Sequence, residues 1–310
     1  MQSGRTRLQD RAAASIIVTG QGQASPGASP GFGRGNFEAM PFLETLSFDA
    51  AAAPGHADAL TRLQEDVLQA IVIRNVLTPD ECRAISADLT ENRHSFPTTS
   101  FPAPFRSHFY GMNLNLADPD LRAYFEMAPG FTRSLEDLML SWGGFESRIL
   151  ALLSRLNGGR PYGPPSLPDG RSYMVTTLRS HHEGGFIPPH FDNEQRSRPS
   201  YRHLDTLVAG DIFSFVLTLS KAQGGGMLEV FDARADAWSG RFQNRDRAQE
   251  KPDLARFARH AFDVEAGTVV VLRSGRYLHQ VTPVIGSRLR WTACSFMARA
   301  RGGDGVYCWG

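Results

Sequence analysis

His190 and Asp192 stand two residues apart in the run Pro188-Pro189-His190-Phe191-Asp192-Asn193-Glu194. In an extended strand that spacing turns both side chains to one face. A third candidate ligand, His279, lies far downstream in His279-Gln280-Val281-Thr282-Pro283-Val284. Two imidazoles and one carboxylate can cover one face of an octahedral metal ion and leave the opposite face open, a donor set suited to non-haem Fe(II) and oxygen chemistry. Zinc accepts the same donor types, but the H-E-x-x-H helix of its hydrolases is absent from the sequence.

The cations that follow His279 bear on what the open face would hold. A dicarboxylic cosubstrate that chelates a metal through one end needs a positive group at the other, and a guanidinium is planar, two-pronged and always charged. Beyond a turn at Pro283 and Gly286 comes Arg288, the preferred anchor; strand alternation places Arg290 and Thr292 on the same face, so Arg290 competes and the Thr292 hydroxyl can share the role. Thr218 alternates with Phe213, Phe215, Leu217 and Leu219, so it should face the cosubstrate while those residues face the core. Arg179, His182, Glu183 and Phe186 precede the metal-binding strand, where a loop should border the mouth of the site, and they form the candidate substrate set. His56, His94, His108, His203 and His260 have no partners at ligand spacing and read as structural or exposed.

Short β-type runs at 171–179, 185–191, 211–220, 226–231, 268–273, 277–281 and 288–298 carry these residues, with Gly, Pro or charged turns between them. Upstream, the β-branched run 67–73 leads to Thr78-Pro79-Asp80-Glu81, a capped helix start, with a helix to about Asn92. The stretch 94–104 has no period and reads as a loop. A short helix starts at Asp118-Pro119-Asp120 and a longer one at Ser134, kinked at Gly143-Gly144 and ended by Gly158-Gly159. Many strands after a helical region predict a mainly β protein with flanking helices: a double-stranded β-helix, or cupin-like jelly roll. The division expected is a disordered tail over 1–39, a support region over 40–170, a core over 171–300 with a charged insertion at 233–261 that solvent or a lid role explains, and a tail over 301–310.

Hydrophobic residues make up 41% of the 310 and charged ones 21%, proportions that permit an ordinary packed core. A net charge of +1 supplies no field for nucleic acid or an anionic membrane. The three cysteines, Cys82, Cys294 and Cys308, are odd in number and far apart, which argues against a disulfide framework and for a reducing cytoplasm. No apolar run approaches the roughly 20 residues that span a bilayer.

Three motifs in order, 184–194 (Gly-Gly-Phe-Ile-Pro-Pro-His-Phe-Asp-Asn-Glu), 224–230 (Gly-Gly-Gly-Met-Leu-Glu-Val) and His279 to Val284 followed by Gly286 and Arg288, resemble the Fe(II)/2-oxoglutarate-dependent oxygenases of the prolyl-4-hydroxylase-like branch. The lead-in 73–82 is similar to the strand and helix of the same family, so the resemblance spans about 67–298. It implies iron on His190, Asp192 and His279, 2-oxoglutarate reaching Arg288, O2 as co-reactant and ascorbate as a supporting reductant. The implied reaction converts 2-oxoglutarate to succinate and CO2 and hydroxylates an unactivated C–H bond; desaturation, ring formation or epimerisation share its early steps. Related radical halogenases replace the carboxylate by a small residue to admit chloride, so Asp192 favours oxygen transfer. The expected partner is a small molecule, such as an amino acid or a natural-product intermediate, handled by a monomer or homodimer. The alternatives are a peptidyl hydroxylase with a long open groove and a non-catalytic sensor of metal or keto acid.

Overall fold

The computed structural model describes residues 42–118, 120–238 and 253–310. The tail expected over 1–39 and the centre of the 233–261 insertion, with its lid reading, lie outside them. Strands β1 (Thr45–Asp49) and β2 (Ala70–Arg74) run parallel, with helix α1 (Ala59–Gln64) between them. Helix α2 (Pro79–Glu91) opens on a reciprocal cap: Thr78 Oγ1 accepts from Glu81 N at 3.2 Å, and Glu81 Oε2 accepts from Thr78 N at 2.7 Å. Pro79 occupies the first turn, where its missing N–H leaves no bond unmade.

The stretch expected as a plain loop contributes β3 (Thr98–Ser100), antiparallel to β4 (Ser107–Tyr110). A three-residue strand is too short to show alternation. The helices also differ from expectation. Helix α3 (Arg122–Met139) is one long element that begins before Ser134 and keeps Pro129 inside it. Its buried face, including Tyr124, Phe125, Ala128, Phe131, Leu135 and Leu138, recurs at helical spacing, and burying it outweighs the bond lost at the proline. Gly143 and Gly144, at φ 87° and 80°, break the helix rather than kink it. A wide turn over Glu146–Leu150 leads to α4 (Ala151–Leu156) and β5 (Tyr162–Gly163).

The core follows as β6 (Thr177–His181), β7 (Ile187–His190), α5 (Arg202–Leu207), β8 (Val208–Ser220), β9 (Gly224–Gly225), β10 (Leu228–Arg234) and α6 (Ala235–Trp238). It continues as β11 (Arg259–Phe262), β12 (Val269–Leu272), β13 (Tyr277–Val281), β14 (Val284–Ile285), β15 (Arg290–Ala300) and β16 (Val306–Trp309). The larger sheet has the order β1-β2-β12-β8-β15-β6-β4-β3, with β16 paired to β15 and β5. The smaller sheet runs β11-β10-β13-β7, and β9 pairs with β14.

These two sheets face each other as the walls of a jelly roll. Val72, Val270 and Leu272 of the larger sheet share one apolar cluster with Leu228, Val230 and Tyr277 of the smaller. The other face of the larger sheet carries Phe213, Phe215, Leu217 and Leu219 into the main core, beside residues of α2, α3 and α4. Alternation along β8 therefore works as expected and leaves Ser214, Val216 and Thr218 facing the smaller sheet. The 301–310 stretch is more than a tail: β16 completes the sheet, and Trp309 is fully buried against Tyr201 and Phe296. Among the described residues no helix is long and apolar enough to cross a membrane.

Candidate active site

β7 ends at His190, the chain turns at Asp192, and β13 runs antiparallel with His279 opposite His190. That register brings together the three residues separated in sequence. Their ligand atoms lie within 4.8 Å of one another. His190 Nε2 is 3.4 Å from Asp192 Oδ1, His279 Nε2 is 3.7 Å from Asp192 Oδ2, and the two rings are 4.2 Å apart.

The second nitrogen of each ring is fixed. His190 Nδ1 lies 2.8 Å from the Pro188 carbonyl and His279 Nδ1 lies 3.1 Å from the Tyr277 carbonyl. A carbonyl only accepts, so each Nδ1 carries a proton, and Nε2 is the nitrogen that each ring presents beside the carboxylate. Asp192 is buried, and neither of its oxygens accepts a hydrogen bond of good geometry. Burial pushes its carboxyl up, but His279 and His190 more than offset this and hold it at about 2. Burial and the neighbouring His190 push His279 down to about 4, so it is neutral at physiological pH. A buried carboxylate that accepts no hydrogen bond, beside two imidazole Nε2 atoms, fits a divalent cation with nitrogen and oxygen preference.

A narrow cavity extends from these residues between the sheets. Arg290 and Thr292 line it from β15, Ser214 and Val216 from β8, and Leu228 and Val281 from the smaller sheet. Arg290 is buried, and among the described residues no carboxylate lies within ion-pair distance of it. Arg288, the preferred anchor on sequence grounds, is exposed and does not line the cavity. β15 begins only at Arg290, so the alternation assumed to run through 288 fails there: Arg288 sits in the bend after β14. Thr218 is buried one step further along β8, in an adjoining space on the other side of Arg290.

Glycines make room for this guanidinium. Gly226 has φ 64°, and a Cβ there would lie 2.7 Å from Arg290 Cδ. At Gly225 it would meet the Pro283 carbonyl oxygen at 1.9 Å, so the β9–β14 crossing excludes any side chain.

A wider vestibule opens from the cavity and shares Arg179, His181, Ile187, His190 and Phe296 with it. Phe101, Phe105 and Phe109, from the β3–β4 region, form its apolar wall. Of the expected substrate set, Arg179 lines the vestibule, while His182 and Glu183 are exposed and absent from the lining. Phe186 stands behind the wall, its ring 5.5 Å from that of Phe105. His181, and not His182, lines the vestibule because β6 extends through 181, giving it the parity of Arg179. The Phe101–Phe109 contribution had no periodic signal that could have found it.

A jelly roll with two imidazoles and a carboxylate gathered at one mouth defines the class of non-haem Fe(II)/2-oxoglutarate-dependent enzymes. The family model of the carrier-protein-independent halogenase WelO5 matches residues 42–310, and the chain belongs to that family within the Fe(II)/2-oxoglutarate oxygenase superfamily. The N-substituted L-amino acid dioxygenase from Burkholderia ambifaria AMMD has a similar fold, with a TM-score of 0.55 and 16% identity over 82% of this chain and 91% of that one. Its complex with alpha-KG gives 0.53 and 16%, over 84% and 91%. A prolyl-4-hydroxylase from Pseudomonas putida gives 0.40 and 17%, over 81% and 100%. No curated protein sequence matches at a significant level.

Proposed function

We propose that the protein hydroxylates an unactivated C–H bond of a small molecule, with iron on His190, Asp192 and His279 and the distal carboxylate of 2-oxoglutarate on Arg290 and Thr292. The observation that carries this reading is Asp192, whose buried carboxylate lies between two imidazole Nε2 atoms without a donor of its own. When bound, iron with 2-oxoglutarate and O2 supplies the oxidant: the keto acid leaves as succinate and CO2 with one oxygen atom, and the other enters the C–H bond.

The chain's own residues do the rest. The Nδ1 bonds to Pro188 and Tyr277 hold both rings in the tautomer that presents Nε2. Arg290 and the Thr292 hydroxyl orient the keto acid, and the apolar faces of Val216, Leu228 and Val281 keep water from its carbon chain. The aromatic vestibule receives a substrate from the side of His190, and its walls on both the β3–β4 region and the 195–198 turn favour a compact molecule over an extended peptide.

Family membership favours a second reading, halogenation. That reaction needs a halide where Asp192 stands, so the carboxylate argues for oxygen transfer within a family named for the other outcome. Anaerobic reconstitution with Fe(II), then air, 2-oxoglutarate and a panel of small amino acid derivatives in chloride buffer, tests the choice. Substrate-dependent succinate with a product heavier by one oxygen atom is expected; a product with chlorine in place of hydrogen would overturn hydroxylation.

A further inference from the structure

We infer that Arg179, with His181 beside it, forms a recognition site for a single anionic group on the substrate, so that the substrate class is a carboxylate joined to an apolar or aromatic body. The inference rests on the functional reading above and adds the chemistry of the substrate.

Arg179 lies where the inner cavity and the vestibule meet and lines both. It is only 9% exposed. Its Nε donates to Thr177 Oγ1 at 3.3 Å, and its guanidinium lies 5.0 Å from the Phe109 ring and 5.9 Å from the Phe296 ring. Those contacts fix the direction of the group but leave Nη2 without an acceptor. A buried arginine is usually matched by a carboxylate, yet among the described residues none lies within ion-pair distance of this one. His181, on the same face of β6, is 1% exposed and, among the described residues, has no partner at either ring nitrogen. Burial, then the nearby Arg290 and Arg179, push its pKa well below the ordinary range, so it enters the site neutral, with one donor and one acceptor.

The charges of the occupied site point the same way. Asp192 is the sole carboxylate among the described residues that line the two cavities. With a divalent ion on the His–Asp–His set and a dianionic keto acid in place, Asp192, Arg290 and Arg179 leave one positive charge unmatched. Arg290 sits at the end of the inner cavity, away from the vestibule it does not line. Arg179 faces the vestibule, where Phe101, Phe105 and Phe109 offer the apolar surface for the remainder of the molecule. Arg198, also at the vestibule, is already paired with Asp118 at 3.1 Å.

The test uses the full chain with Zn(II) as a redox-inert ion and saturating 2-oxoglutarate. Calorimetric titration with 3-phenylpropionate is compared with its neutral isostere 3-phenylpropanamide. The wild type should prefer the carboxylate by roughly ten- to a hundredfold, the range of a charge-assisted contact. Arg179→Gln should abolish the preference and leave amide binding and 2-oxoglutarate affinity intact; Arg179→Lys, which keeps the charge, should retain part of it. Should the Gln variant fail to fold by circular dichroism, the Lys variant and His181→Gln still decide, each with a reduced preference. A wild type that binds metal and 2-oxoglutarate without preferring the carboxylate overturns this inference and leaves the functional reading standing. Loss of 2-oxoglutarate rather than probe in Arg179→Gln also overturns it, by making Arg179 a second contact for the cosubstrate. A wild type that binds neither metal nor 2-oxoglutarate removes the functional reading, and this inference with it.

Discussion

Asp192 shows how much one side chain can decide. Its carboxylate is buried without donors and is held ionised by two imidazoles, so a cation placed among them replaces missing hydrogen bonds rather than existing ones. In halide-free buffer, Asp192→Ala should lower iron retained after gel filtration by roughly tenfold or more, with succinate release falling in proportion; unchanged iron content there would sink the ligand assignment. The two arginines after His279 separate just as cleanly. Arg290→Gln should weaken 2-oxoglutarate binding by roughly ten- to a hundredfold, since a buried charge-assisted contact is lost. Arg288→Gln removes an exposed group and should stay within about twofold of wild type. Titration of 2-oxoglutarate into the zinc-loaded proteins measures both, and the reverse order would return the anchor to Arg288.

At the scale of elements, the site depends on strands that set parity and on turns that leave space. β15 gives Arg290, Thr292 and Cys294 one face because it begins at Arg290, and β6 gives Arg179 and His181 the facing positions. The Gly224–Gly226 turn lets β9 cross β14 and keeps the Arg290 stem unobstructed. Gly226→Ala should therefore cost about 1 kcal/mol or more in thermal unfolding, from its positive φ alone. It should also raise the KM for 2-oxoglutarate while iron content holds. A normal KM would mean that Arg290 moves aside without losing its contact.

For the whole molecule, the N-terminal region is tied to the β-core through Asp66. Its carboxylate meets Arg273 at 3.1 Å, Arg234 at 3.0 Å and Arg276 at 3.3 Å, and the buried Arg273 also reaches Asp211 at 3.0 Å. Burial works to raise the Asp66 pKa, but Arg273, Arg234 and Gln69 outweigh it and hold it below the ordinary value of 3.8. A group lowered on folding contributes stability above its unfolded pKa, and that stability is lost as pH falls through the lower, folded value. Asp66→Asn should thus lower Tm near neutrality, and the gap from wild type should narrow below about pH 3.8. A gap that stays constant into that range would assign the loss to packing instead of charge.

The sequence by itself marked the His190–Asp192 pair, the β8 alternation and the α2 cap, because each rests on local spacing: two residues along a strand, or three across a helix start; His279 and the jelly-roll class came from the order of motifs and strands along the chain. It also held Asp192, the carboxylate on which the proposed oxygen transfer rests. Tertiary structure decided the rest. The start of β15 placed Arg290, and not Arg288, along the cavity, because parity cannot be counted through a bend whose position is set by pairing with β6 and β8. Burial of one apolar face carried α3 through Pro129, and pairing with β4 drew β3 out of an aperiodic stretch. The isolation of Arg179 likewise belongs to the folded chain. A lone arginine in a sequence is ordinarily a solvated one, and only the closure of two sheets and an aromatic wall around it leaves it, among the described residues, with no carboxylate within ion-pair distance.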